Sequence, residues 1–188
     1  MKFGTARRKQ AQDYLFYTAI ATESGPSQAF DPDYTIEYWR PSPRHLVPEN
    51  MPHFPFIVWT LFHFAAIFYN RDYSLCLIKH KGQLVHRSVI TPGYFRFPFM
   101  QPSDLQVGDT WTDPRHRGRG VATHALRDIL SGLAAGRRVW YIVENANAPS
   151  RRVVEKAGFA YAGAGCRIPR LGLSFFAAYK KVDSTCPY

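Results

Sequence analysis

The chain predicts a single mixed α/β domain, a central and mostly antiparallel sheet flanked by helices. Three observations lead there. Its 188 residues suffice for one domain with a real core. A hydrophobic share of 46%, with 15% aromatic residues, excludes global disorder. Segments that alternate with period two are interleaved with segments of helical period, in the order strand, helix, hairpin, strand, helix, strand, helix, terminal strands. No internal repeat, low-complexity tract or second domain interrupts this order, so residues 33–188 read as one unit.

Residues 1–32 read as an N-terminal extension of unassigned role. Lys2, Arg7, Arg8 and Lys9 precede a short apolar run, Tyr14–Ala21, but Gln10, Gln12 and Asp13 break the pattern of a signal peptide. The run is expected to be helical if ordered. Asp33–Pro43 ("DYTIEYWRPSP") is a strand entering a loop, with Ile36, Tyr38 and Arg40 alternating against Thr35, Glu37 and Trp39. Pro41, Pro43, Pro48, Pro52 and Pro55 keep the next stretch irregular. Phe56–Tyr69 follows as a helix that is apolar nearly all round, hence buried. The apolar stretch Phe54–Tyr69 is too short to span a bilayer and carries His63, so no membrane span is expected.

Tyr73–Thr91 reads as a hairpin about Lys81–Gly82, and Pro92–Asp104 as an aromatic, proline-punctuated loop. Leu105–Thr112 is a strand with Gly108 inside it, the mark of a bulge or a close backbone approach. From Gly120 the period becomes helical: Val121, Ala125 and Ile129 form one row, Ala122, Leu126, Leu130 and Leu133 the next, with Gly136 as the stop. Arg138–Val143 is a short strand of the kind buried on both faces. "NAPSRRVVEKAGF" starts a helix near Pro149 and stops it at Gly158. The tail, Phe159–Val182, offers two strands separated by "RIPRLG".

A net charge of +10 implies an anionic partner: nucleic acid, a membrane surface or a phosphorylated small molecule. Cys76, Cys166 and Cys186 have no CxxC spacing and suggest neither a disulfide framework nor a metal site, which fits a reducing, cytoplasmic setting. "DPRHRGRGVATHALRDIL", Asp113–Leu130, concentrates arginines and glycines at the start of a helix. A helix N-terminus offers unpaired N–H groups and the positive end of the helix dipole. Gly118 and Gly120 let backbone approach phosphate oxygens, Arg115, Arg117 and Arg119 add charge, and Thr123 adds a hydroxyl. The segment is therefore either a pyrophosphate seat or a solvated basic turn. It matches neither a P-loop nor G-x-G-x-x-G.

"RGRGVATHAL" resembles the acetyl-CoA motif Arg/Gln-x-x-Gly-x-Gly/Ala of the GCN5-related N-acetyltransferase (GNAT) superfamily, through Arg117, Gly120 and Ala122. "NANAPSRRVVEKAGF" resembles that superfamily's next block, through Asn147, Ser150, Glu155, Lys156, Gly158 and Phe159. The resemblance covers about Leu105 to Phe159. It implies a GNAT-like fold whose sheet splays at the cofactor, and an acyltransferase that uses acetyl-CoA or another acyl-CoA. It assigns the cofactor to Trp111, Thr112, Arg117, Gly118, Arg119, Gly120, Val121, Ala122, Thr123, Asn147 and Ser150. Arg151 and Arg152 are placed to meet CoA phosphate, and the backbone near Trp111–Thr112 is the family-like oxyanion donor. Many members carry a tyrosine four residues after the serine of the second block, as acid to the CoA thiolate. Here that position is Val154, so the acid must be Tyr161, Tyr141 or water, or be dispensed with.

Amide formation also needs a base. Asp109, beside Gly108 on the strand entering the site, is the first candidate, and His86 the second. Each has a plainer reading: Asp109 as a strand carboxylate bonded to a loop, His86 as a satisfied polar residue of a half-buried strand. His116 reads as a phosphate-loop neighbour and Glu144 as an acceptor ligand or a surface carboxylate. Tyr94, Phe95, Arg96 and Phe97 are the acceptor-binding candidates, or else a loop closing the core. With Trp39 and Trp59 they favour a small-molecule amine, an amino sugar or an aromatic amine. Nucleic acid is not expected as a partner, because a binding tail of RGRG type would lack the helical periodicity of "VATHALRDILSGL". An RNA-binding domain and a CoA-binding protein without turnover stay as alternatives, and a homodimer is compatible with the apolar Phe54–Tyr69 segment.

Overall fold

The computed structural model describes residues 13–22, 30–48, 51, 53–170 and 173–182. Lys2, Arg7, Arg8 and Lys9 of the expected extension lie outside the described residues. The strands are β1 (Tyr14–Ile20), β2 (Tyr34–Trp39), β3 (Ser74–His80), β4 (Gln83–Pro92), β5 (Leu105–Thr112), β6 (Arg138–Glu144), β7 (Ala160–Arg170) and β8 (Leu173–Val182). The helices are α1 (His53–Phe64), α2 (Val121–Ser131) and α3 (Ala148–Lys156). The strands form one sheet in the order β2-β3-β4-β5-β6-β1-β7-β8. Every neighbouring pair is antiparallel except β5 with β6. That parallel pair is short: Leu105↔Val139, Gln106↔Trp140 and Val107↔Tyr141, after which the two strands part.

Each face of the sheet carries a core. Under α2 and α3 lie Leu105, Val107, Val139, Tyr141 and Val143, joined by Val121, Ala125, Leu126 and Ile129 of α2 and Val154 of α3. The Val121, Ala125, Ile129 row is the one the helical period predicts. At about 25 cal/mol per Å², burying a side chain such as Leu126 contributes roughly 2 kcal/mol. The opposite face packs Phe16, Phe56, Tyr73, Leu75, Tyr94, Phe97 and Trp140. The β3–β4 hairpin turns at Lys81 and Gly82, both with positive φ (50° and 79°), a twist that matches the strands it joins.

Five expectations are corrected. Tyr14–Ala21 is not a helix outside the domain: Tyr14–Ile20 is β1, inserted between β6 and β7 and hydrogen-bonded to both. Its residues alternate between the cores, Phe16 on the α1 side and Leu15 and Tyr17 on the other, so an aromatic run buried on both faces prefers strand. The α1 segment is not buried all round. Phe56 and Thr60 are buried, but Phe54, Ile57, Leu61 and Phe64 form an exposed apolar row. Nor does α1 reach Tyr69, because Ala66 turns left-handed (φ 55°) and the amides of Ala66 and Ile67 bond back to His63 and Phe62. The α2 helix ends at Ser131 with Gly132 closing it, one turn before Gly136. Most of "RIPRLG" is strand: β7 runs on to Arg170, with Ile168 paired to Ala178.

The cysteines differ as well. Cys76 is free and buried, whereas Cys166 is disulfide-bonded, which removes the argument for a reducing compartment. No described helix is long and apolar enough to cross a membrane.

Candidate active site

The site grows from an irregularity in β5. Between Val89↔Gly108 and Arg87↔Trp111, β5 spends one residue more than β4, which is a bulge. Asp109 takes the strained position, with φ of 43°. Gly108 is required by close approach, since a Cβ there would collide with the Gln106 side-chain amide. That amide is itself fixed, accepting from Thr91 Oγ1 at 2.9 Å and donating to the Val107 carbonyl at 2.7 Å. The extra residue lets Gly108 and Asp109 face the α1 side while Thr110 faces the α2 side.

On the α2 side lies a cleft of about 680 Å³. Of the residues expected to hold a cofactor, Trp111, Thr112, Arg117, Gly118, Gly120, Val121, Ala122, Thr123, Asn147 and Ser150 line it together; Arg119 does not. Arg152 also lines it and Arg151 does not. Asp113 builds the approach by accepting from the Arg115 amide at 2.8 Å and pairing with its guanidinium at 2.9 Å, which holds the Asp113 carboxyl down to about 2. Arg117 Nε then donates to the Thr112 carbonyl at 3.1 Å. Gly120 caps α2 in the left-handed region (φ 83°) and supplies no side-chain bond, leaving first-turn amides free of a side-chain partner. A Cβ on Gly118 would meet nothing within 4 Å, and one on Gly120 only a Phe30 ring carbon at 4.0 Å. Open backbone, an uncapped helix start and arginines fit a polyphosphate. Across the cleft, Asn147 caps α3 by accepting from the Ser150 amide at 3.1 Å. His116 lines the cleft and hydrogen-bonds with Tyr34 at 2.8 Å.

On the α1 side lies a smaller pocket of about 200 Å³. Here the structure brings together Asp109, Tyr94, Arg96 and Phe97 with Trp59, Ile142 and Tyr179. Phe95 does not line it and packs on Phe62 of α1 instead (ring centroids 6.1 Å apart). The loop is fixed by the Tyr179 amide donating to the Arg96 carbonyl at 2.8 Å and by Phe97 stacking on the Tyr179 ring. Tyr179 escaped the sequence reading because its position depends on β8 lying across the sheet edge, far along the chain. Burial raises the Asp109 carboxyl, while Arg87, 3.4 Å away, opposes the shift.

His86 lines neither the cleft nor the pocket. It is fully buried, bonded to Thr112 Oγ1 at 2.8 Å and Ser88 Oγ at 3.0 Å, and burial pushes its pKa down to about 4. It cannot meet an acceptor as a base. Glu144 is exposed at the end of β6 and lines neither cavity. Val154 is buried in the core. Among the described residues no cluster of His, Cys, Asp and Glu is arranged to hold a metal ion.

The chain matches the Acetyltransferase (GNAT) family model over residues 28–159. It belongs to the GNAT acetyltransferase family. No curated protein matches it. Among solved structures, a GCN5-related N-acetyltransferase from Sphaerobacter thermophilus is 16% identical with a TM-score of 0.54, covering 82% of this chain and 50% of that one. A putative GNAT-family acetyltransferase from Novosphingobium aromaticivorans is 21% identical, with a TM-score of 0.46, covering 81% of this chain and 61% of that one. The ribosomal-protein-S18-alanine N-acetyltransferase of Escherichia coli is 16% identical with a TM-score of 0.40, covering 68% of this chain and 79% of that one. The chain thus spans about half to three-fifths of the first two GNAT structures.

Proposed function

We propose that this chain transfers an acetyl group from acetyl-CoA to a primary amine, by direct attack of the amine on the thioester. One observation carries the reading: the β5 bulge joins two cavities on opposite faces of the sheet, Thr110 lining the large cleft and Gly108 and Asp109 the small pocket. The sheet is open between them only past Val107↔Tyr141, where β5 and β6 part. The cleft residues Arg117–Gly118, Gly120–Thr123, Asn147 and Ser150 would hold the cofactor, its pyrophosphate against the uncapped amides of α2. Bound there, acetyl-CoA supplies an activated acyl thioester.

Asp109 faces the acceptor pocket and takes the proton an incoming ammonium must lose. Backbone N–H groups near Trp111–Thr112 polarise the carbonyl oxygen. Trp59, Tyr94, Phe97 and Tyr179 give the pocket aromatic walls, and its small volume suits an amino sugar or a compact aromatic amine. A rival reading, cofactor binding without turnover, draws on the apolar Val154 at the family's acid position.

The test is thiol release from acetyl-CoA across a panel of amino sugars and aromatic amines. Asp109→Asn is expected to lower kcat/KM by about a hundredfold or more. The sign of the pH dependence follows from the role, since a base must be deprotonated, and its position from burial, which raises the Asp109 carboxyl against the pull of Arg87. Activity therefore falls as pH drops through a value higher than that of an unperturbed aspartate, and the variant loses that limb. An unchanged rate and limb in Asp109→Asn would remove Asp109 from the role. Binding of acetyl-CoA with no product from any amine would favour the rival.

A further inference from the structure

The pocket on the α1 side divides its walls by chemistry. Trp59, Tyr94, Phe97 and Tyr179 give aromatic faces, and Val89 and Ile142 add aliphatic ones. Its polar residues are of two kinds. Thr91 donates to the Gln106 side-chain oxygen at 2.9 Å, and the Gln106 amide nitrogen donates to the Val107 carbonyl at 2.7 Å, so this pair is engaged within the wall. The charged side chains among the described lining residues are Asp109 and Arg96. A sugar presents a hydroxyl on nearly every carbon, and these walls answer few of them. A ring-sized apolar body with one cationic and one anionic group matches them.

Arg96 is held in place through its backbone. It stands in a turn closed by the Phe97 amide donating to the Tyr94 carbonyl at 2.8 Å, and its own carbonyl accepts from the Tyr179 amide of β8 at 2.8 Å. The aromatic neighbours do the packing, Phe97 stacking on Tyr179 and Phe95 reaching Phe62. The Arg96 guanidinium carbon lies 6.0 Å from the centre of the Tyr94 ring, itself a pocket wall. Burial raises the phenols of Tyr94 and Tyr179, and the charges of Arg96 and Arg167 pull both back, so a positive field reaches the pocket. Asp109 is already faced by Arg87 at 3.4 Å. An ammonium alone therefore meets no surplus of negative charge among the described residues, whereas an amine that carries its own anion brings the balance with it. A guanidinium has five donors in a planar fork and can serve a carboxylate beside its other contacts.

We propose that the acceptor is an aromatic amino acid, its ammonium at Asp109, its carboxylate at Arg96 and its ring among the aromatic walls. The inference rests on the acetyl-transfer reading above and narrows its acceptor. Arg96 is then the residue that sets specificity. The ammonium gives one proton to Asp109. As the C–N bond forms and the C–S bond breaks, the C–S electron pair goes to sulfur. The second proton shed by nitrogen makes CoA the free thiol, and the other product is the N-acetyl amino acid.

Binding is read first, without cofactor. L-Phenylalanine, 2-phenylethylamine (the same body without the carboxylate) and glucosamine are titrated by calorimetry into the wild type, Arg96→Gln and Arg96→Lys at neutral pH. The wild type is expected to bind L-phenylalanine at least about tenfold more tightly than either other ligand. Arg96→Gln should bring L-phenylalanine and 2-phenylethylamine within about twofold of each other, and Arg96→Lys should keep most of the preference. A ratio taken within one protein does not depend on the fraction folded. Three results would overturn the proposal: a wild type that holds 2-phenylethylamine or glucosamine as tightly as L-phenylalanine, one that binds none of the three, or an equal loss for both ring ligands in Arg96→Gln. Thiol release from acetyl-CoA is then followed with L-phenylalanine and is expected to yield N-acetylphenylalanine. Selective binding with no thiol release would sink the transferase reading itself, a different result from binding that ignores the carboxylate.

Discussion

Asp109 and His86 carry opposite environments within one pair of strands. Asp109 sits at a bulge with its carboxyl opening into a pocket; His86 is sealed between Thr112 and Ser88. The sealed histidine has a thermodynamic signature. Unfolded, it takes a proton near its ordinary value; folded, it resists until about pH 4. Its contribution to stability is complete above the unfolded pKa and is lost as pH falls from there towards 4, by roughly 3 kcal/mol in all. Denaturant unfolding of the wild type should therefore weaken between neutral pH and about pH 4.5 more steeply than that of His86→Asn. Equal slopes would mean that the ring ionises as easily folded as unfolded. At this scale the sequence revealed the irregularity at Gly108, because a glycine inside a strand is visible in one dimension. It did not reveal which face His86 takes, because β4 carries an extra residue of its own beside it, between Ile78↔His86 and Lys79↔Leu84, which breaks the alternation by which faces are counted.

Elements were legible where one period ran cleanly. The buried row of α2 and the Lys81–Gly82 turn follow from spacing and turn chemistry alone. The end of α1 did not, because Ala66 carries no signal for the left-handed cap it forms. A left-handed alanine costs about 1–2 kcal/mol, part of which glycine returns as chain entropy. Ala66→Gly should accordingly raise stability by roughly 0.5–1 kcal/mol in equilibrium unfolding. A loss of stability would mean that the alanine methyl makes packing contacts worth more than the strain. The apolar row on α1 was read as core because its residues repeat on every side of the helix, and hydrophobicity does not say which side the sheet occupies.

For the molecule as a whole, β1 is the decisive piece of architecture. It joins β6 to β7, and no local pattern reports a strand pairing with partners more than a hundred residues away in sequence. Phe16, fully buried, meets Phe99 edge-on at 5.2 Å between ring centroids. Phe16→Ala should cost about 3–5 kcal/mol, enough to threaten a domain of ordinary stability. A loss under 1 kcal/mol would show that β1 is dispensable to the sheet. The lining of the large cleft beside α2 was the most legible part, because its glycines and caps work through backbone that a short motif describes. The smaller pocket was the least, being assembled from α1, β4, β5, β6, β8 and the 93–100 loop. The most direct test of the account is a calorimetric titration of acetyl-CoA into the wild type and Gly120→Glu. The substitution sets a carboxylate at the uncapped start of α2, where space is open but a φ of 83° strains any side chain, so Gly120→Ala carries the strain alone as the reference. The account predicts binding by the wild type and a loss of at least about tenfold in the variant. Equal binding by both, or none by either, would contradict it.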